Sequence, residues 1–349
     1  MNLKTIADKA GVSTATVSNV INGNNHKVSE KTRQHVLQII KELNYSPSAT
    51  ARSLASNESR IIALFIPNML LEGGFGVDPY ASQMISLLEQ VIRQEGYYLM
   101  MRCVDRHTEI TQLTRTWNAD GIILIGAYAE EVRKINSQLT GVPVVYIDTY
   151  APGQPMVNVG IDDYRGGFLS AQYLLERGHR RIAYVGPDEK HSDVIRERFR
   201  GLRDAMNQYG LKFAPEDIFL ADTSIDAGVE VGNKIFNSGR SYTAVAAMSD
   251  TLALGLSSSL QTNGLMVPDD ISLIGFDNVK TSLYASPPLT TVAQNLVLKA
   301  SLVGEHLFRM IRTKQCYSAN AILDVEVIER GSVRCLSETN MEKEQQNHA

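Results

Sequence analysis

The sequence predicts an N-terminal all-α helix-turn-helix head followed by a larger α/β body of two doubly wound parallel sheets. Three observations predict it. Residues 1–46 carry apolar side chains at helical spacing on either side of a glycine turn. From Arg60 onward, apolar runs alternate with amphipathic stretches, the pattern of strands and covering helices. Charge divides at the same boundary. Residues 1–60 hold eight Lys and Arg against four Asp and Glu, a net +4, which leaves −8 on residues 61–349 and −4 overall. A basic head on an acidic body assigns phosphate contact to the head.

In the head, Gly11 can take the positive φ that a tight turn between helices demands. Ser13 is a good N-cap for the next helix. Val17, Val20 and Ile21 give that helix one buried stripe, and Thr14, Ala15, Ser18 and Asn19 lie off it. Short side chains at the start of such a helix suit a DNA major groove. After a polar turn at 23–27, Ser29 is expected to cap a third helix running to about Asn44, with Val36, Ile39, Ile40 and Leu43 inward. Pro47 then opens a segment at 48–55, only about two turns long, too short to be a stable helix alone.

In the body, buried parallel strands are expected at 61–67, 98–104, 121–125, 142–148, 181–186, 244–248 and 271–276. Helices are expected at 82–94, 165–177, 198–209, 228–237 and 252–263. They form two series in tandem, about 61–160 and 161–289, with a further helix at 296–312. At 44% hydrophobic and 21% charged, the 349 residues can build a large soluble core. No apolar run approaches a membrane span, and the helical head begins without a basic-then-apolar leader. Cys103, Cys316 and Cys335 are widely spaced and odd in number, which favours a reduced cytoplasm over disulfides or a metal site. No G-x-G-x-x-G after a strand, G-x-S-x-G or G-K-[ST] loop supports an enzyme on this fold, and His191-Ser192-Asp193 makes no triad by adjacency. A binding protein for transport is the third reading, disfavoured by the DNA-reading head.

The run 10–20, the stretch Val28-Ser29-Glu30-Lys31-Thr32-Arg33 and residues 43–54 resemble the DNA-binding head of the lactose-repressor (LacI/GalR) family. The body resembles the same family along nearly its whole length, including 177–183 and 267–278. The resemblance implies a two-lobed periplasmic-binding-protein-like core, its Rossmann-like lobes joined by three crossovers near Asn158, at 289–292 and near Ala321. It implies a head at 1–46, a hinge helix and linker at 47–59, and an effector-binding and dimerisation domain at 60–336. Lobe 1 would hold about 60–160 and 291–320, lobe 2 about 161–290 and 321–336. The polar tail at 337–349 lacks an apolar heptad seam, so a dimer rather than a tetramer is expected.

By the same resemblance, Thr14, Ala15 and Asn19 reach base edges. Thr5, Thr16, Ser18, Asn22, Lys31 and Thr32 are expected along the phosphates, and Ser13 is also expected among the DNA-binding residues. Asn19 stands where many members have Arg; Asn favours adenine and Arg guanine, so A·T is expected in the operator at that position. Ala51, Arg52 and Leu54 belong to the hinge, where Leu54 matches the residue that wedges between base pairs in the minor groove. Arg198 and Asp277 match the family's cleft arginine and carboxylate. Asp78, Tyr80, Asp162 and Asp250 join them as effector candidates, although aspartates at such positions also serve as helix caps or inter-lobe ion partners. Asp78 replaces the usual Asn, Ala81 a usual aromatic, Ser249 a frequent Asn and Thr149 a frequent Arg. A cleft that gains a carboxylate and loses a ring leans toward a neutral, sugar-like polyhydroxyl effector. The expected partners are double-stranded operator DNA, that small-molecule effector and a second copy of the chain, with no cofactor and no membrane.

Overall fold

The computed structural model describes residues 3–21, 25–43, 58–67, 78–105 and 109–336. The hinge residues Ala51, Arg52 and Leu54, together with Asn22, the loop 70–77 and the tail 337–349, lie outside them. The chain divides into two units, Met1–Arg60 and Ile61–Ala349.

Among the described residues the first unit holds three α-helices: α1 (Leu3–Ala10), α2 (Thr14–Ile21) and α3 (Glu30–Glu42). Gly11 takes φ +64 between α1 and α2, as the turn requires. Ser13 Oγ accepts from the Thr16 amide at 3.1 Å, and Ser29 Oγ from the Thr32 amide at 3.2 Å. Two identical caps thus start the second and third helices. Ile6, Ala7, Ala10, Val17, Val20, Val36 and Ile39 are buried together as one small core.

The second unit holds two six-stranded sheets. In chain order its elements are β1 (Ile61–Pro67), α4 (Pro79–Gln94), β2 (Tyr98–Val104), α5 (Ile110–Trp117), β3 (Gly121–Ile125), α6 (Ala129–Gln138), β4 (Val144–Ile147) and β5 (Val157–Ile161). There follow α7 (Asp163–Glu176), β6 (Ile182–Gly186), α8 (Asp193–Gln208), β7 (Ile218–Leu220), α9 (Ile225–Asn237), β8 (Ala244–Ala247), α10 (Asp250–Thr262), β9 (Ser272–Asp277) and β10 (Thr290–Ala293). The last are α11 (Leu296–Thr313), β11 (Ala319–Leu323) and β12 (Glu326–Ile328). The strand orders are β11-β5-β4-β3-β1-β2 and β12-β10-β9-β8-β6-β7, so each strand of one lobe has a counterpart in the other. Among the described strands, β12 alone runs antiparallel, against β10. Each sheet is apolar on both faces because helices cover both, which is why the strands read as continuous apolar runs.

Three connections join the lobes, and each falls a few residues later than the sequence suggested. The first is at Asp162, between β5 and α7; the second is at 294–295, because all of β10 pairs with β9. The third follows β11, whose Leu323 still pairs with Ile161 of lobe 1. Buried Ile161, Phe276 and Val292 form a small apolar cluster around these connections, with Leu323, Val325 and Val327 packed on it.

Helices α7 and α8 approach backbone to backbone. A Cβ on Gly167 would lie 1.8 Å from the Arg198 carbonyl oxygen, and one on Gly201 would lie 1.9 Å from that of Tyr164. Gly228 and Gly255 join α9 to α10 in the same reciprocal way. Since backbone cannot rotate aside, Gly167→Ala should destabilise the chain by about 3 kcal/mol or more, the upper end of overpacking costs. A urea titration followed by circular dichroism reads this; a loss below about 1 kcal/mol would mean the helices separate freely.

Candidate functional site

On the head, the sides of α2 not used in packing carry the expected base-reading residues. Thr14 and Ala15 are exposed and Asn19 is half-buried, with Val17 and Val20 turned inward. The Ser13 and Thr16 hydroxyls lie 2.9 Å apart, as the Ser29 and Thr32 hydroxyls do at 2.8 Å, so all four are committed to the helix starts. Lys31 is exposed on the first turn of α3, Thr5 is exposed on α1, and Ser18 is half-buried on α2. Glu30 is held by Arg33 at 2.6 Å on the same turn.

In the body, a cavity of about 180 Å3 opens where the carboxyl ends of both sheets face each other. That is where doubly wound folds receive ligands. Lobe 1 lines it with Asp78, Tyr80, Asp148 and Tyr150, and lobe 2 with Asp193, Arg198, Asp222, Ser249 and Asp277. Arg198, on α8, is 7% exposed. Its Nε donates to Asp163 Oδ1 at 2.8 Å, and its Nη1 donates to the Met248 carbonyl at 3.1 Å and lies 3.7 Å from Asp277 Oδ1. The guanidinium carbon sits 3.7 Å from the centre of the Phe276 ring. Burial alone would lower the Arg198 pKa, but Asp163 and Asp277 outweigh it and push the group up, so it stays charged. Tyr150 of lobe 1 donates to Asp163 of lobe 2 at 2.8 Å, and Tyr80 donates to Asp148 at 2.7 Å. Burial, then the Asp148 charge, holds Tyr80 well above the usual phenol value, so it remains a donor.

Four of the six expected effector residues, Asp78, Tyr80, Arg198 and Asp277, line the cavity together. Two do not. Asp162 caps α7, accepting from the Arg165 amide at 2.8 Å, because the N-cap position turns its carboxylate along the helix rather than into the cleft. Its neighbour Asp163 is the carboxylate that meets Arg198. Asp250 is fully buried behind the wall, where it accepts from the Val279 amide and the Thr291 hydroxyl and ties the start of α10 to the loop after β9 and to β10 itself. Burial raises Asp250 to about 7 against those bonds. Asp78 both lines the cavity and caps α4 through the Tyr80 and Ala81 amides; burial raises its pKa. Asp148, Tyr150, Asp163, Asp193 and Asp222 were not singled out. Asp148 carries a signal in hindsight: it directly follows β4 as Asp277 ends β9, and both aspartates have positive φ, 51 and 103. Strained backbone of this kind gathers at functional sites. Among the described residues no group of three or more His, Cys, Asp or Glu could hold a metal ion, and no helix is long and apolar enough to cross a membrane.

Residues 2–48 match the bacterial regulatory proteins of the lacI family, and residues 171–333 match the periplasmic binding protein-like domain. The chain is 33% identical over 341 residues to the HTH-type transcriptional repressor PurR of Pasteurella multocida, covering 95% of this chain and 98% of that one. It is similar to the lac repressor dimer bound to operator and the anti-inducer ONPF, with a TM-score of 0.83 and 26% identity across 96% of this chain and 99% of that one. It is also similar to a LacI family regulator from Enterococcus faecium with bound ribose, at a TM-score of 0.69 and 26% identity, covering 79% of this chain and all of that one.

Burial pushes Asp277 up to about 8, against the pull of Arg198. The folded chain therefore keeps a proton there that the unfolded chain releases near pH 4. The stability this group contributes is complete below about pH 4 and is lost as pH rises to about 8. Asp277→Asn keeps a neutral acceptor for its partners and removes that proton, so wild-type stability should fall relative to the variant across this window. Urea midpoints at successive pH values measure the gap; a constant gap would mean Asp277 is ionised throughout.

Proposed function

The chain belongs to the lacI family of bacterial regulatory proteins, and from that premise we infer that it represses transcription by binding a pseudopalindromic operator as a dimer, under control of a neutral, sugar-like effector in the inter-lobe cleft. It is a DNA-binding transcriptional repressor with a ligand-binding domain, not an enzyme. For the DNA half, support comes from the exposed start of α2, where Thr14 and Ala15 stand on the one strongly basic unit. Asn19 is the specificity residue of that helix, reading A·T. The hinge role of Arg52 and Leu54 belongs to the same proposal.

For the effector half, the carrying observation is the charge on the cavity wall. Asp78, Asp148, Asp193 and Asp222 line it together with Asp277, which burial keeps protonated up to about pH 8, against the cation Arg198, which is already engaged by Asp163. Such a wall repels a phosphate or carboxylate and offers acceptors to hydroxyls. Tyr80 presents a ring beside those acceptors, suited to the apolar face of a sugar. The regulator from Enterococcus faecium with bound ribose supports the same class of ligand.

Selection of binding sites from random duplex DNA at fixed salt should enrich a pseudopalindrome. Asn19→Arg should shift one symmetric position from A·T toward G·C; an unaltered consensus would refute base reading by Asn19. For the cleft, a thermal-shift panel should pair each neutral monosaccharide, disaccharide and nucleoside with its phosphate. Only neutral members should raise the melting temperature, by an amount equivalent to about 3 kcal/mol at a hundredfold excess over Kd. Arg198→Lys, which keeps the charge but loses the planar fork, should weaken the hit about tenfold or more. Stabilisation by the phosphates alone would reverse the assignment.

A further inference from the structure

Beneath the cleft lies a lysine that the effector reading does not use. Lys299, on the first turn of α11, is 0% exposed. Its Nζ donates to both oxygens of Asp148, at 2.8 and 3.0 Å, and to Gln294 Oε1 at 2.7 Å. Gln294, itself buried, turns its Nε2 to Asp277 Oδ1 at 2.7 Å. The result is a continuous chain of hydrogen bonds, Asp148–Lys299–Gln294–Asp277. A buried ion pair adds little net stability over apolar residues of the same size, so stability alone does not account for an ammonium in this place.

The ends of that chain occupy corresponding places in the two lobes. Asp148 follows β4 and Asp277 ends β9, which stand at the same position in the two strand orders. Lys299 belongs to lobe 1, because α11 packs into the core of the first sheet. Gln294 sits in the second connection, between β10 and α11. Fixing these four side chains therefore fixes one strand end of each lobe relative to the other.

We propose that Lys299 and Gln294 are positioning residues that latch the two lobes through Asp148 and Asp277 and so set the width of the empty cleft. The latch deepens the effector reading and rests on it for one consequence: a ligand hydroxyl that donates to Asp148 or Asp277 competes for the oxygens that Lys299 and Gln294 hold. Tyr150 and Asp163 cross between the lobes independently, so loss of the latch changes the cleft width without parting the lobes.

The test needs no effector, which separates its failure from that of the effector reading. Cys316 and Cys335 are exposed, the first between α11 and β11 of lobe 1, the second beyond β12 on lobe 2. Spin labels on both, in full-length Cys103→Ser chain diluted with excess unlabelled chain, report the intrachain distance by pulsed electron resonance. The parent should give one narrow distance. The double variant Lys299→Met/Asp148→Asn leaves no orphaned charge and should split or broaden it. Gln294→Met removes no formal charge, takes one buried hydrogen bond each from Lys299 and Asp277 and so should lower the melting temperature modestly, and should broaden the distance as well. A merely structural role would move the melting temperature and leave the distance alone. If Gln294→Met keeps the single narrow distance, the proposal is overturned, whether or not the double variant folds.

Discussion

Arg198 can remain charged in an interior that excludes water only because lobe 2 surrounds it with partners. Asp163 takes its Nε, the Met248 carbonyl takes one Nη, Asp277 stands beside that same nitrogen and Phe276 lies under the plane. A guanidinium moved out of water without such company would cost far more than the whole folding free energy of a domain. The cleft is consequently not a gap that two domains happen to leave. Its floor is a polar network that must be complete, and completing it draws in Tyr150 from the opposite lobe. The shape of the ligand site follows from that requirement as much as from the two sheets.

The network also explains the wear placed on the backbone. Asp148 and Asp277 hold positive φ, which a side chain with a Cβ avoids, at the ends of equivalent strands. Each is anchored there by a buried donor, Lys299 for one and Gln294 for the other. Hydrogen bonds to groups in a low-dielectric interior are strong enough to hold such a conformation. The price of two unfavourable dihedrals is a pair of acceptors pointed into the same cavity.

Much of this was legible in the sequence, and the rest fails for identifiable reasons. The parallel strands were visible because burial on both faces makes them uninterrupted apolar runs, and the helix starts because Ser13 and Ser29 precede them. Helices α5 and α6 were not separated out; at eight and ten residues they span only two to three turns, too few to stand out along the sequence. The strand β7 has three residues, too few to alternate or to form a run. At the site, Arg198 and Asp277 were found by resemblance, but Asp162 was taken where Asp163 makes the contact. Adjacent residues at a helix start point about 100° apart, and composition cannot decide which faces inward. Lys299 gave no signal at all, because a lysine in an amphipathic stretch normally marks the solvent face. Only the fold brings Asp148 to it, from 151 residues away.

The reciprocal glycines between α7 and α8 and between α9 and α10 determine what kind of motion this body can make. Helices that touch through backbone have no layer of side chains to slip over one another, so shear within lobe 2 is closed to them. Arg198 rides on one of these locked pairs and Asp163 on its partner. Lobe 2 must then move as a whole when the cleft changes, its rotation taken up at the three connections around Ile161, Phe276 and Val292. A small apolar cluster becomes the pivot, and the distance moved grows with the arm measured from it.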